Sequence, residues 1–264
     1  MRFAIIADIH SHTAALQTVI KHASANSADK IYCCGDIVGY HALPNETIDL
    51  VQSHSIISIA GNHDLAVTNN DIDLSDFWEV AVKAINWTNG ELTDNNREYL
   101  SKLPRTTFFN DGFLLFHGAI RGKPFPEMER IRSKDDVEKV FTDMSHQFPN
   151  CRLAFFGHTH TPVVYMNDGD QTFELHDDLI KLELDKSNRY IVNPGSICLS
   201  RNGDMRSSYV IYDSDSETLH FYRTPYENDY VLKSTKQAGL IQPRYQRIAR
   251  RILKRMIKKI GLPL

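Results

Sequence analysis

The chain has 264 residues, 42% of them hydrophobic, and a formal net charge of -3, which suits one large α/β domain or two small ones. That charge gives no overall pull toward nucleic acid, and no stretch reaches the ~20 apolar residues of a membrane span. The four cysteines show no C-x-x-C and no regular spacing, so they read as buried thiols in a reducing compartment, not as disulfides or a sulfur-bound metal site.

Met1 to Asp8 lacks the apolar region and cleavage site of a signal peptide, so the expected location is cytoplasmic. Phe3 to Ala7 is a short apolar run that reads as a buried strand, with Thr13 expected to cap a helix through Leu16, Val19 and Ile20. A second strand is expected over Ile31 to Cys34, followed by a helix that Pro44 opens, with Ile48 and Val51 inward. A third strand is expected over Ile56 to Ala60. Three strand–polar-loop–helix units in succession predict parallel strands, with functional residues outside their carboxyl ends.

Helices are expected over Phe77 to Trp87 and Asn95 to Leu103, with Trp78 and Trp87 as packing residues. Asn110-Asp111-Gly112 signals a hairpin between Thr106 to Phe109 and Phe113 to Phe116. Ser133 to Gln147 reads as a helix capped by Ser133, with Val137, Val140, Phe141 and Met144 facing the core. The run Leu153 to Phe156 then delivers Gly157-His158-Thr159-His160, where the glycine is expected to let the chain turn. Further strands are expected over Val163 to Met166, Ile180 to Leu184, Tyr190 to Val192, Tyr209 to Tyr212 and Leu219 to Tyr222. Asn167 to Asp170 reads as a turn.

Short polar motifs follow these apolar runs: Asp8-Ile9-His10, Gly35-Asp36, Gly61-Asn62-His63-Asp64, His117-Gly118 and His158-Thr159-His160. The strand ends thereby collect Asp8, His10, Asp36, Asn62, His117, His158 and His160. Imidazole mixed with carboxylate suits divalent manganese, iron, zinc, cobalt or nickel, whereas all-oxygen sets suit magnesium or calcium. Seven groups are too many for one tetrahedral ion but suffice for two divalent metal ions if one carboxylate bridges. Such a pair, ~3.5–4 Å apart, clamps a phosphoryl oxygen and turns water into hydroxide near neutral pH. His63, beside a proposed ligand, is placed to act as general acid.

This ordered set, D-x-H, G-D, G-N-H-D, H-G and G-H-T-H, resembles the calcineurin-like metallophosphoesterases. Gly35 to Tyr40 and Asn193-Pro194-Gly195-Ser196 resemble their small prokaryotic phosphodiesterase branch, and the likeness spans roughly Arg2 to Asp213. The resemblance implies a four-layer α/β/β/α sandwich of two mixed sheets. It also implies hydrolysis of a phosphate ester, by preference a diester, through metal-activated hydroxide, with manganese the first metal expected. Asp8, His10, Asp36 and His160 would take one ion, and Asp36, Asn62, His117 and His158 the other. His63 would protonate the leaving group, Asp64 would orient it, and Asn193 to Ser196 would floor the site.

The chain departs from that pattern at His12, a candidate phosphate contact or a local backbone hydrogen bond, and at His41-Ala42-Leu43, Ile120 and Leu199-Ser200. Arg121, Arg201 and Arg206 are candidate phosphate contacts, each weighed against an ordinary surface ion pair. His22, His41, His54, His146, His176 and His220 read as surface or helix-face residues.

The metallophosphoesterase domain is expected over residues 1–225 and a helical extension over 226–264, basic and amphipathic from about 242. Eight basic residues and no acid fall between Arg244 and Leu264; without them the chain has 22 basic against 33 acidic residues. An anionic membrane surface, nucleic acid and a protein contact remain as partners for this segment. A nuclease using this tail and a non-catalytic assembly scaffold stand as alternatives to the phosphodiesterase.

Overall fold

The computed structural model describes residues 1–120, 125–169, 171–175, 180–201 and 203–240. Arg121, Asn202, His176 and the basic tail lie outside the described residues, as do parts of the turn at Asn167 to Asp170.

In chain order the elements are β1 (Arg2–Ile6), α1 (Thr13–Ala25), β2 (Lys30–Cys33), α2 (Pro44–Ser53), β3 (Ile57–Ser58) and α3 (Asn62–Thr68). Then follow α4 (Glu79–Glu91), α5 (Asp94–Ser101), β4 (Thr107–Phe108), β5 (Phe113–Leu115), α6 (Lys134–Gln147) and β6 (Leu153–Phe155). The last are β7 (Val163–Asn167), β8 (Thr172–Leu175), β9 (Lys181–Glu183), β10 (Arg189–Asn193), β11 (Ser207–Asp213), β12 (Thr218–Thr224) and α7 (Asp229–Gln237).

Two six-stranded sheets form, ordered β3-β2-β1-β11-β12-β9 and β4-β5-β6-β10-β7-β8. Each is mixed: β1, β2 and β3 run parallel while β11 and β12 are antiparallel, and β5, β6 and β10 run parallel beside antiparallel β7 and β8. Side chains alternate along β1 and so separate the cores. Phe3, Ile5 and Ala7 meet Phe113, Phe155 and Val192 between the sheets, while Ala4 and Ile6 meet Leu16, Val19, Ile48 and Val51 beneath the helices. A third core joins Leu114, Ala154 and Ile191 to Val137, Val140, Phe141 and Met144 of α6. The order is therefore helices, sheet, sheet, helix. Burial on both faces explains why these strands read as continuous apolar runs.

Several boundaries differ from expectation. α1 is capped by His12 instead of Thr13: its Nδ1 accepts from the Ala15 N–H at 3.2 Å. The third strand shortens to two residues because Ala60 N–H turns to Pro104 C=O at 2.8 Å. α4 begins two residues late, with Trp78 as its cap, and runs on to Glu91. β8 is not among the expected strands; its alternation Thr172-Phe173-Glu174 is brief and lies on a sheet edge. Ser133 caps α6 as expected, with Asp136 closing a capping box.

Candidate active site

The motif loops leave neighbouring strand ends, so residues from five parts of the chain converge. Asp8, His10, Asp36, His158 and His160 all take left-handed backbone conformations, with φ between 51° and 65°. Non-glycine residues rarely accept that region, and its concentration at one place marks a functional site held by the surrounding structure. The turn expected of Gly157 is made by His158 and His160. Gly157 serves close approach: a Cβ there would sit 3.1 Å from His117 Nδ1 and 3.3 Å from Asp8 Oδ2. Gly61 has the same role against Asp36, whose carboxylate would meet any side chain added there.

Two groups of side chains form. Asp8, His10, Asp36 and His160 place their donor atoms within 4.8 Å of one another, and so do Asp36, His117 and His158. Asp36 belongs to both: its Oδ2 lies 3.7 Å from His10 Nε2 and 3.3 Å from His117 Nε2. Its Oδ1 accepts the His63 N–H at 2.8 Å, which ties the α3 start to the same carboxylate. Asn62 Oδ1 joins the second group, 2.9 Å from His117 Nε2 and 2.8 Å from His158 Nδ1.

Hydrogen bonding reveals what the groups are built to hold. His10 Nδ1 donates to Val38 C=O at 3.2 Å and His160 Nδ1 to Leu199 C=O at 2.8 Å. A carbonyl only accepts, so both rings carry their proton at Nδ1. Burial keeps both imidazoles neutral by pushing them well below the ordinary histidine range. Their Nε2 lone pairs therefore face each other at 3.2 Å, with Asp8 Oδ1 3.5 Å from His160 Nε2. Asp8 Oδ2 is buried with no hydrogen-bond partner among the described residues. Such a convergence of electron-rich atoms repels itself unless a cation sits among them, and the carbonyl partners are the usual orienting contacts of metal-binding histidines. The residues present fit two divalent ions.

His117 makes the same point by titration. Its Nδ1 donates to Cys34 C=O at 2.7 Å, leaving Nε2 toward Asp36. Burial pulls its pKa down, but Asp36 and Asp8 overcome that and raise it to about 9. A proton thus takes the place that a cation would fill. Burial raises Asp8 to about 7, partly offset by His117, while His117, His63 and His10 overcome burial at Asp36 and hold it well below the carboxylate range.

The Asn193 to Ser196 turn lies beneath this cluster. Ser196 Oγ donates to Asp8 C=O at 3.0 Å, and Asn193 Nδ2 donates to Gly157 C=O at 2.7 Å. Asp64 accepts the N–H groups of Ile37, Val38 and Gly61 at 3.2, 3.0 and 2.9 Å. Its carboxylate thereby binds the Asp36 loop to the Asn62 loop.

A cavity of about 330 Å³ opens over the cluster, lined in part by Asn62, His63, His158 and His160. Tyr40 and Phe77 flank the His63 ring at centroid distances of 4.7 and 5.4 Å. Burial lowers His63 to about 4, against the attraction of Asp36, and its Nδ1 has no partner among the described residues.

A family model described as a calcineurin-like phosphoesterase superfamily domain matches residues 1–217. The chain belongs to that superfamily. It is 32% identical over 233 residues to an uncharacterised protein of Methanocaldococcus jannaschii, covering 85% of this chain and 87% of that protein. It is also similar to the crystal structure of a metallophosphoesterase from Sphaerobacter thermophilus, with TM-score 0.78 and 32% identity over 94% of this chain and 98% of that one. A hypothetical protein of Pyrococcus horikoshii OT3 shares the fold, with TM-score 0.70 and 17% identity over 91% of this chain and 94% of that one. Fold and ligand groups together are those of a dinuclear, metal-dependent phosphoesterase.

In this calcineurin-like phosphoesterase the side chains of Asp8, His10, Asp36, Asn62, His117, His158 and His160 lie in one cluster, with His63 beside it. Of the other expectations, some hold and some change. His41 is buried, 1% exposed, because its Nδ1 donates to His10 C=O at 2.9 Å from behind the site. His22 lies on a face of α1, as its surface or helix-face reading allows, half-buried and bonded to Tyr209 Oη at 2.6 Å. His12 contacts backbone and Asn228, not the cavity. Arg206 pairs with Asp204 at 2.7 Å, as an ordinary surface arginine does. Trp78, expected to pack, is 49% exposed at the cavity wall, because α4 starts beyond it. Arg201 lines the cavity, and so do Arg130 and Arg132, which nothing in the sequence singled out. They precede α6 in a loop without motif or periodicity. Only their charge, between His117 and Ser133, was a signal.

Proposed function

We propose that this chain hydrolyses phosphodiesters, with His63 as general acid and manganese as the preferred metal. The observation that carries the reading is the apposition of His10 Nε2 and His160 Nε2 at 3.2 Å, both as lone pairs, beside a carboxylate shared with a second group. Asp8, His10, Asp36 and His160 would hold one ion; Asp36, Asn62, His117 and His158 would hold the other. Two such ions, when bound, would supply an activated water and a clamp on the phosphoryl oxygens. Carboxylate and amide oxygens beside imidazole favour manganese over the softer metals, with iron, zinc, cobalt and nickel also compatible.

The chain's own residues supply the rest. His63 is fixed through its backbone on Asp36 and through its ring between Tyr40 and Phe77, facing the cavity. A phosphate arriving beside the ring brings negative charge, which favours the protonated imidazole needed to give a proton to the leaving oxygen. Asp64 acts through the two loops it joins. A scaffold for protein assembly has no use for an acid at the cavity wall, so catalysis is favoured over that alternative.

Among the described residues no helix is long and apolar enough to cross a membrane, and all four cysteines are free and buried. These support our reading of a cytoplasmic enzyme. Residues 1–225 would form the catalytic unit, and the basic segment from 242 would set location or assembly by docking on protein.

The test is turnover of bis(p-nitrophenyl) phosphate against p-nitrophenyl phosphate by the manganese-loaded protein. Diester turnover should exceed monoester turnover, vanish with chelator and return with manganese. A protein that binds two ions and turns over neither ester, nor any cyclic or linear nucleotide diester, is a scaffold.

A further inference from the structure

The cavity lining combines aromatic rings with charge: Tyr40 and Phe77 flank His63, Trp78 lies next to Phe77, and Arg130, Arg132 and Arg201 line it together with the acids Asp36, Asp76 and Glu129. Arg130 Nε–H donates to His158 Nε2 at 3.2 Å, and Arg201 Nη1 lies 3.5 Å from His158 C=O. His158 Nε2 is the ring atom remote from Nδ1, which faces Asn62. Arg130 is therefore set outward from the ligand atoms by the width of an imidazole.

Neither Arg130 nor Arg201 has a carboxylate within 4.0 Å among the described residues. Arg105, Arg152 and Arg206, away from the cavity, are paired with Glu127, Glu217 and Asp204. Arg130 is half-buried and close enough to Arg201 for the two charges to repel. Glu129 and Asp76 also line the cavity, yet among the described residues neither is ion-paired with these two guanidinium groups, which are arranged for an anion that they can grip through paired N–H donors.

We propose that Arg130 and Arg201 form a second phosphate subsite, so that the substrate carries a further phosphate beside the one attacked. The inference rests on the phosphoesterase reading and narrows its substrate class to esters or anhydrides with two or more phosphates. The attacked phosphate would sit at the ligand cluster; Arg130, one ring further out, and Arg201, beside the His158 carbonyl, would meet the next. The aromatic wall by His63 receives the uncharged part of the molecule.

The experiment is calorimetric titration of inorganic pyrophosphate and of orthophosphate into the manganese-loaded full-length chain, with metal content checked after each run. Pyrophosphate should bind at least about tenfold more tightly than orthophosphate, from added charge-assisted hydrogen bonds. R130A and R201A should each erase most of that advantage while retaining two ions, and R206A, whose arginine is paired outside the cavity, should keep it. An equal loss of both ligands in R130A and R201A would place the arginines on the attacked phosphate and overturn the subsite. So would the absence of any pyrophosphate advantage in the unmodified chain. Turnover of the two nitrophenyl esters and of nucleotide diesters is read in parallel: turnover of any of them with no pyrophosphate advantage removes the subsite alone, whereas turnover of none removes the enzymatic reading beneath it.

Discussion

His10 Nε2 and His160 Nε2 stand 3.2 Å apart although 150 residues separate them in the chain. Each ring has committed its other nitrogen to a carbonyl, so neither can turn away, and Asp36 stands beside both this pair and His117. Removing the shared carboxylate should therefore empty both groups at once. Asp36→Asn and Asp36→Ala are expected to lower bound metal from two ions per chain to below one. Elemental analysis that still finds two in either variant would disprove the sharing.

His63 touches the cavity without belonging to either ligand group. His63→Ala is expected to keep both ions and its melting temperature, and to lose ~10²–10⁴-fold in kcat on a diester with an alkyl leaving group. With a nitrophenolate leaving group, which departs without a proton, the loss should be much smaller. Equal losses on the two substrates would assign the ring to phosphate contact instead of acid catalysis.

Asp64 joins two motif loops through three backbone N–H donors. Asp64→Asn keeps the shape but turns an NH₂ group against at least one of those donors. The expected cost is about 1–3 kcal/mol of stability, the price of a buried donor left unmade. Chemical denaturation of the chelated protein measures it; a change within error would mean that the loops hold together without this carboxylate.

How much of this was legible beforehand depends on the kind of residue. The parallel strands and the candidate ligand loops are readable because doubly covered strands give unbroken apolar runs and because the candidate ligands follow each of them directly. His63 was readable from its place next to Asn62. His41 was not: a histidine in a loop carries no sign of burial until the His10 carbonyl is found above it. Trp78 departs from the packing expected of it because apolar spacing places a helix but not its first turn, and here the tryptophan is the cap. Arg130 became visible only with the fold, since its partner His158 lies 28 residues further along.

His117 makes the metal-free protein sensitive to alkali. Burial opposes its charge, yet Asp36 and Asp8 raise it to about 9 against 6.5 when unfolded. A raised histidine contributes stability that is complete below the unfolded value and lost as pH rises through the folded one. Asp8 and Asp64, raised to about 7 chiefly by burial, tilt stability in the same direction at lower pH. The chelated protein is expected to lose on the order of 1–3 kcal/mol between pH 7 and 9. His117→Asn should flatten that slope, and so should manganese, which replaces the proton with a cation. Thermal melts in chelator that are flat from pH 7 to 9 would contradict the ion pair with Asp36.

The most direct test of a dinuclear centre is anomalous diffraction from crystals of the full-length chain grown with manganese. Two peaks ~3.5–4 Å apart are expected, one among Asp8, His10, Asp36 and His160, the other among Asp36, Asn62, His117 and His158. A single peak, or two peaks that do not share Asp36, would contradict the centre described here.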